Sequence, residues 1–329
     1  MRRMLEQWQS GTGNWRDDWD RTADVARGHF SALIGAPAAS VGLLPAASVG
    51  TGLVAGTLRP GDDVVVPDDE FTSVLFPLLV AQRERGAVVR RVRFAQMADA
   101  IRERTRLVAF SLVQSQSGRL AGLEAICAAA AAHGAQTFVD ATQALPFVSV
   151  TPYLEHVDYL VCAAYKHLLC PRGAAFLYVR PERWESISPW HAGWRAADRP
   201  YDRYYGGDLT LAGDAARFDV SPGWIVWVGA AESLQLLREW WDGGALAAVP
   251  LLAQRLAREL GLPPPGASVV SVPVRDATAA SQALREAHIR ASVRAGAVRF
   301  SPHIYNTTRH VLRAARVIAP FVAALPQTS

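Results

Sequence analysis

Lysine is almost missing from this chain of 329 residues: among its 34 lysine and arginine side chains, Lys166 is the only lysine. Arginine keeps its charge at any biological pH, whereas a lysine amine can give up its proton and attack a carbonyl. A lysine kept in so arginine-biased a chain is a candidate nucleophile. Cysteine is scarce too. Cys127, Cys162 and Cys170 sit in apolar surroundings without metal-ligand spacing. That count fits a reducing cytoplasm better than a disulfide framework. Long apolar runs are absent. The alanine-rich stretch from Ala125 is far too short to span a bilayer and stops at His133-Gly134, so it reads as a helix with a glycine cap. The first residues are basic but run into Trp8, Gly11, Trp15 and Asp17 rather than an apolar leader. The expectation is a cytoplasmic protein without a membrane segment. The net charge of +4 comes from scattered arginines, and the densest cluster, Arg90, Arg91 and Arg93, is too short to argue for nucleic acid.

Half the residues are hydrophobic, which gives an ordinary globular chain ample material for a core. Short apolar runs recur between helical stretches: Val64–Pro67, Val88–Val92, Leu107–Leu112, Gln136–Val139, Tyr159–Cys162 and Ala174–Val179. That pattern predicts an α/β fold with a mostly parallel sheet flanked by helices, its site at the carboxyl ends of the strands. Beyond the Gly261–Gly266 turn, with its three prolines, the pattern changes. A strand (Ser268–Val274), a helix (Ala277–His288), a strand pair near Ala291–Ser301 and a last helix (Thr308–Leu325) make a smaller α+β unit. The expected organisation is an N-terminal segment (1–21), a large domain (22–240) and a small C-terminal domain (241–329).

Lys166 belongs to a constellation. Asp140 ends a predicted strand, Gln143 follows it by three positions, and Lys166 follows it by 26. These residue types suit pyridoxal phosphate (PLP). A lysine amine condenses with the cofactor aldehyde. A carboxylate keeps the pyridine nitrogen protonated, so the ring can absorb electrons. A glutamine amide can hydrogen-bond the ring's 3′-oxygen.

Two strings carry a family resemblance: Asp140-Ala141-Thr142-Gln143 with the Ala164–Gly173 loop, and Arg299-Phe300-Ser301-Pro302-His303-Ile304-Tyr305-Asn306-Thr307. From about Thr22 onward the chain resembles the class V aminotransferase family of fold-type-I PLP enzymes. The likeness is to its kynureninase-like, epimerase-like and C–S-lyase-like branches. The resemblance implies a large domain with a seven-stranded-type sheet and a smaller C-terminal domain. It implies PLP on Lys166 in Schiff-base linkage, Asp140 at the ring nitrogen, and Gln143 and Ser115 near the ring oxygen. Phe71 would stack on the ring. Ser48 and Val49 would form a phosphate cup at a helix N-terminus, which suits an anion physically, with Tyr165 serving the same phosphate. Ser221 and Gly193 match positions that reach a neighbouring subunit's cofactor, so a homodimer is implied. Arg299 would grip the α-carboxylate of a small amino-acid substrate, a bidentate task for guanidinium.

The sequence also departs from relatives. Ala163 and Tyr165 stand where many carry Ser or Thr and His. Between Arg294 and Arg299 there is no cysteine to accept sulfur. The N-terminus is short, with tryptophans from Trp8 to Trp19 where relatives have extra residues over the substrate mouth. The aromatic stretch Trp184–Trp194, with Tyr201, Tyr204 and Tyr205, reads either as entrance lining or as interface packing. The expected activity is a PLP-dependent lyase performing β-elimination on a sulfur-bearing or otherwise activated amino acid. Aminotransfer and epimerisation are alternatives on the same scaffold. A PLP-fold partner without turnover is the alternative from another class.

Overall fold

The computed structural model describes residues 1–323. Spatially the chain divides into two compact units, 1–112 with 121–239, and 113–120 with 240–329. Two features differ from the domain limits read from sequence. The first 21 residues fold into the first unit, and the short 113–120 segment belongs with the C-terminal residues.

The first unit runs α1 (Arg2–Ser10), α2 (Thr22–Ile34), β1 (Val41–Leu44), α3 (Ala47–Ala55), β2 (Asp63–Pro67), α4 (Thr72–Arg85), β3 (Val88–Val92), β4 (Thr105–Ser111), α5 (Leu123–His133), β5 (Gln136–Asp140), β6 (Tyr159–Ala163), β7 (Ala175–Val179) and all but the last three residues of α6 (Trp224–Asp242). The strands form one seven-stranded sheet in the order β1-β7-β6-β5-β4-β2-β3. From β3 to β6 all neighbours are parallel, and β7 lies antiparallel between β6 and β1. Central strands covered on both faces must be apolar throughout. Val64, Val65, Val66, Phe138, Leu160 and Phe176 are accordingly sealed from water. The edge strand β3 instead carries arginines, which discourage pairing with another chain. Its Arg90 is tied to Asp63 of β2 at 2.5 Å. Phe30 of α2 stacks on Phe176 at 4.2 Å, anchoring that helix to the sheet. The alanine-rich helix α5 ends as its sequence predicts, at Gly134 in the left-handed region (φ 67°).

The N-terminal tryptophans pack within this unit. A π-helical turn, Trp15–Asp20, is capped by the Asn14 side chain. Trp15 stacks on Trp224 and touches Trp194, Tyr201 and Tyr204, while Trp8 stacks on Trp19. Beneath this aromatic layer lies a buried ion network. Arg27 pairs with Asp219 at 2.5 Å, and Arg195 reaches Asp20 and Asp24. Asp219 also accepts from the Leu43 amide, and the Val220 amide donates to the Leu43 carbonyl. These bonds fix the chain leading into Ser221 against β1.

In the second unit, α7 (Ala248–Glu259), α8 (Ala277–Glu286) and α9 (Thr308–Ile318) flank an antiparallel sheet of β8 (Val270–Pro273), β9 (Ser292–Arg294) and β10 (Ala297–Phe300), ordered β8-β10-β9. Leu256, Val272, Leu284, Val298 and Ile318 fill its core. The last helix is shorter than its sequence predicts. It stops at Ile318, because Pro320 cannot continue it; Leu325 lies outside the described residues.

Candidate active site

Strand register places the chemistry at one edge of the large sheet. Ser111 at the end of β4 pairs with Asp140 at the end of β5, and Asp140 pairs with Val161 of β6. Lys166 follows the end of β6 by three residues. On the far side, Ala163 and Leu44 both pair with Ala175 of β7, so β1 also ends at this edge. Helix α3 therefore opens there, with Ser48 and Val49 in its first turn and no side chain capping it. Amides left without intrahelical partners at such an end attract an anion.

Asp140 is buried, and one carboxylate oxygen accepts from the Thr142 amide at 2.8 Å. Burial pushes its carboxyl up, and the Thr142 bonds only partly oppose this. Among the described residues no Lys, Arg or His side chain pairs with it. The Thr142 hydroxyl accepts from the Ala163 amide at 2.9 Å, lacing the turn after β5 to the end of β6. Gln143 is buried in the same turn, and its Oε1 lies 3.2 Å from Nε2 of His167. The Lys166 amine lies 4.7 Å from the centre of the Tyr165 ring and makes no hydrogen bond or ion pair among the described residues. Tyr165 packs against the core. Phe71, at the N-cap of α4, is 46% exposed, which is unusual for so large an apolar ring.

Two residues that the sequence reading passed over belong here. Glu70 sits in an acidic turn that reads as solvated, yet it is buried. Its carboxyl accepts from the Ser111 hydroxyl at 2.5 Å, the Ser111 amide at 2.7 Å and the Phe71 amide at 2.6 Å. Burial pushes Glu70 up to about 7, the Ser111 and Phe71 bonds pull the other way, and the Asp140 charge adds to the rise. The second is His167, masked in sequence by the lysine beside it. The spacing of Glu70 from Phe71 gives no signal of burial, since its partner Ser111 is 41 positions away.

Ser115 and Arg299 lie in the second unit, where Arg299 donates to the Ser115 carbonyl. Ser115 thus contributes a backbone oxygen to the arginine. The Arg299 Nε is buried without a partner, and no carboxylate pairs with the guanidinium among the described residues. Burial, and Arg294 nearby, lower its pKa. Such an arginine gains most from an incoming anion. Gly193 and Ser221 are exposed in the first unit, and a Cβ at Gly193 would meet nothing within 4 Å. Nothing within this chain requires glycine there. The three cysteines are buried and free. Burial pushes the Cys170 thiol up to about 12 and Cys162 well above its ordinary range.

Residues 4–260 match the family model described as aminotransferase class V. The chain belongs to the class V aminotransferase family. It is 28% identical over 326 residues to the uncharacterized aminotransferase YcbU of Bacillus subtilis, covering 93% of this chain and 85% of that protein. It is 29% identical over 183 residues to isopenicillin N epimerase of Streptomyces clavuligerus, covering 51% of this chain and 46% of the epimerase. Among solved structures, the fold is similar to the cystine C–S lyase C-DES, captured with its product cysteine persulfide. That match has a TM-score of 0.81 and 19% identity, over 92% of this chain and 87% of the lyase. Family membership makes this class V protein a PLP enzyme.

The residues present fit that cofactor. A buried carboxylate without a cation suits a protonated ring nitrogen, which would relieve its desolvation. An unpaired amine, an uncapped helix N-terminus and an exposed aromatic ring stand at the same sheet edge.

Proposed function

We propose that this protein is a PLP-dependent lyase that removes a β-substituent from a small sulfur-bearing or otherwise activated amino acid. The observation that carries the cofactor site is Asp140, buried without a cationic partner at the sheet edge from which Lys166 emerges. Bound PLP supplies an electron sink that makes the substrate Cα–H bond acidic. Lys166 would hold the cofactor through its amine and would serve as the base for the substrate Cα proton. Asp140 stabilises the positive ring nitrogen. The Gln143 amide donates to the ring oxygen, and Phe71 offers a stacking face. Ser48, Val49 and Tyr165 hold the phosphate, joined by Ser221 and Gly193 of a second copy in a homodimer. Arg299 binds the substrate carboxylate.

The cysteines favour elimination over sulfur transfer to the protein. A persulfide relay needs a thiolate, and the buried Cys162 and Cys170 are held in the thiol form. Elimination breaks the Cα–H and Cβ–substituent bonds, forms a Cα–Cβ double bond and releases the substituent in protonated form; hydrolysis of the remaining enamine yields a keto acid and ammonia. The test is keto-acid release from cystine or β-chloroalanine with and without an added keto-acid acceptor. Acceptor-independent release supports the lyase. Release that requires an acceptor sinks it in favour of aminotransfer, and loss of α-chirality without keto acid sinks it in favour of epimerisation.

A further inference from the structure

The residue that follows the anchoring lysine is a buried histidine placed to control a neighbour. His167 sits in the turn after β6, and Gln143 sits in the turn after β5. Both are buried, and the only polar contact between these two side chains joins His167 Nε2 to Gln143 Oε1 at 3.2 Å. The imidazole lies edge-on to Phe147, with ring centres 5.2 Å apart, which restricts its rotation. A carboxamide has two faces, an acceptor oxygen and a donor NH2. When the imidazole N–H occupies the oxygen, the amide can present only its donors to whatever lies beyond. Without the imidazole, the amide can turn over and present its oxygen instead.

We propose that His167 is a positioning residue that locks the Gln143 amide with its NH2 group outward, as a dedicated donor to an oxyanion. The proposal rests on the PLP reading for the identity of that oxyanion, the ring oxygen of the cofactor. It requires the His167 tautomer with hydrogen on Nε2. The turn after β5 and the turn after β6 then act as one piece, and Gln143 is pre-set before the cofactor arrives. Preorganised donors cost no reorientation on binding.

Two variants separate positioning from mere packing. His167→Phe keeps an aromatic ring beside Phe147 and removes the donor. His167→Gln restores a donor NH2 at nearly the reach of Nε2. The first measurement uses PLP-free protein labelled with 15N-glutamine. The Gln143 side-chain NH2 resonances are expected to shift and broaden in His167→Phe and to return toward wild type in His167→Gln. Unchanged Gln143 resonances in His167→Phe overturn the proposal, whatever the cofactor does. The second measurement is PLP titration followed by absorbance. His167→Phe is expected to raise the dissociation constant about tenfold, the worth of one charge-assisted hydrogen bond, and to move the absorbance maximum. His167→Gln is expected to recover both. In a Gln143→Ala background the His167→Phe change is expected to add less than about twofold. Equal losses in both backgrounds contradict the proposal. Wild-type protein that binds no PLP overturns the cofactor reading instead, and the NMR result still decides the lock.

Discussion

Replacing Glu70 by glutamine tests the electrostatics of the candidate site without touching a residue assigned to substrate or cofactor. Folded Glu70 titrates at about 7, against an ordinary value of 4.5, chiefly because it is buried. Below pH 4.5 the side chain is protonated in both folded and unfolded chains, and burial costs little. Between pH 4.5 and 7 the folded chain holds a proton that the unfolded chain has released, so stability falls as pH rises. Above pH 7 the carboxylate is buried as a charge and the full cost applies. A rise from 4.5 to about 7 corresponds to about 3 kcal/mol. Glu70→Gln cannot titrate. Whatever fixed cost the amide brings by turning an NH2 toward the Ser111 amide, that cost does not vary with pH. Buried Asp140, also pushed up, adds a slope of its own in both proteins, and its repulsion with Glu70 is part of the difference read. The stability of wild type minus that of Glu70→Gln is therefore expected to drop by about 3 kcal/mol between pH 4.5 and 8. Urea denaturation of the PLP-free proteins across that range reads the difference directly. A difference that stays flat within about 0.5 kcal/mol, or that rises with pH, refutes the reasoning.

Other outcomes follow from the same structure. Arg27→Met leaves Asp219 without the cation it meets at 2.5 Å in the interior, and chemical denaturation is expected to show a loss of about 3–5 kcal/mol; a loss under 1 kcal/mol contradicts the buried network. Arg299→Ala removes a guanidinium whose buried Nε has no partner and is expected to raise KM roughly 100-fold with a smaller effect on kcat; an unchanged KM takes Arg299 out of substrate binding. Native protein at pH 8 is expected to resist alkylation at Cys162 and Cys170, whose thiols are held in the neutral form; rapid modification of either, read by mass spectrometry, would falsify the assignment of both as packing residues.

Which parts of this architecture were legible in sequence depended on range. The central strands announced themselves because parallel strands covered on both faces must be apolar, and Val64–Val66 or Phe138–Val139 cannot read otherwise. β1 was not legible. Its four residues, Val41–Leu44, include a glycine, and they become a strand only by pairing with β7, more than 130 positions on. Asp140, Gln143 and Lys166 stood out because each needs a particular functional group at a strand end. Glu70 did not, because an acidic turn reads as surface, and only the arrival of Ser111 from β4 buries it. His167 was equally silent, since its role depends on an amide in a neighbouring turn. The tryptophans of the N-terminal segment were visible as a cluster in sequence, but their partners Trp194 and Trp224 were set by tertiary packing.

The most direct test of the central claim is chemical trapping at Lys166. Purified protein incubated with PLP is reduced with borohydride, digested and sequenced by mass spectrometry. Lys166 is the only lysine in the chain, so a trapped lysine adduct can form at no other side chain. The account predicts a yellow protein, one phosphopyridoxyl group per chain on Lys166, and loss of that group in Lys166→Ala. A colourless protein, or a reduced protein in which Lys166 is unmodified, contradicts it.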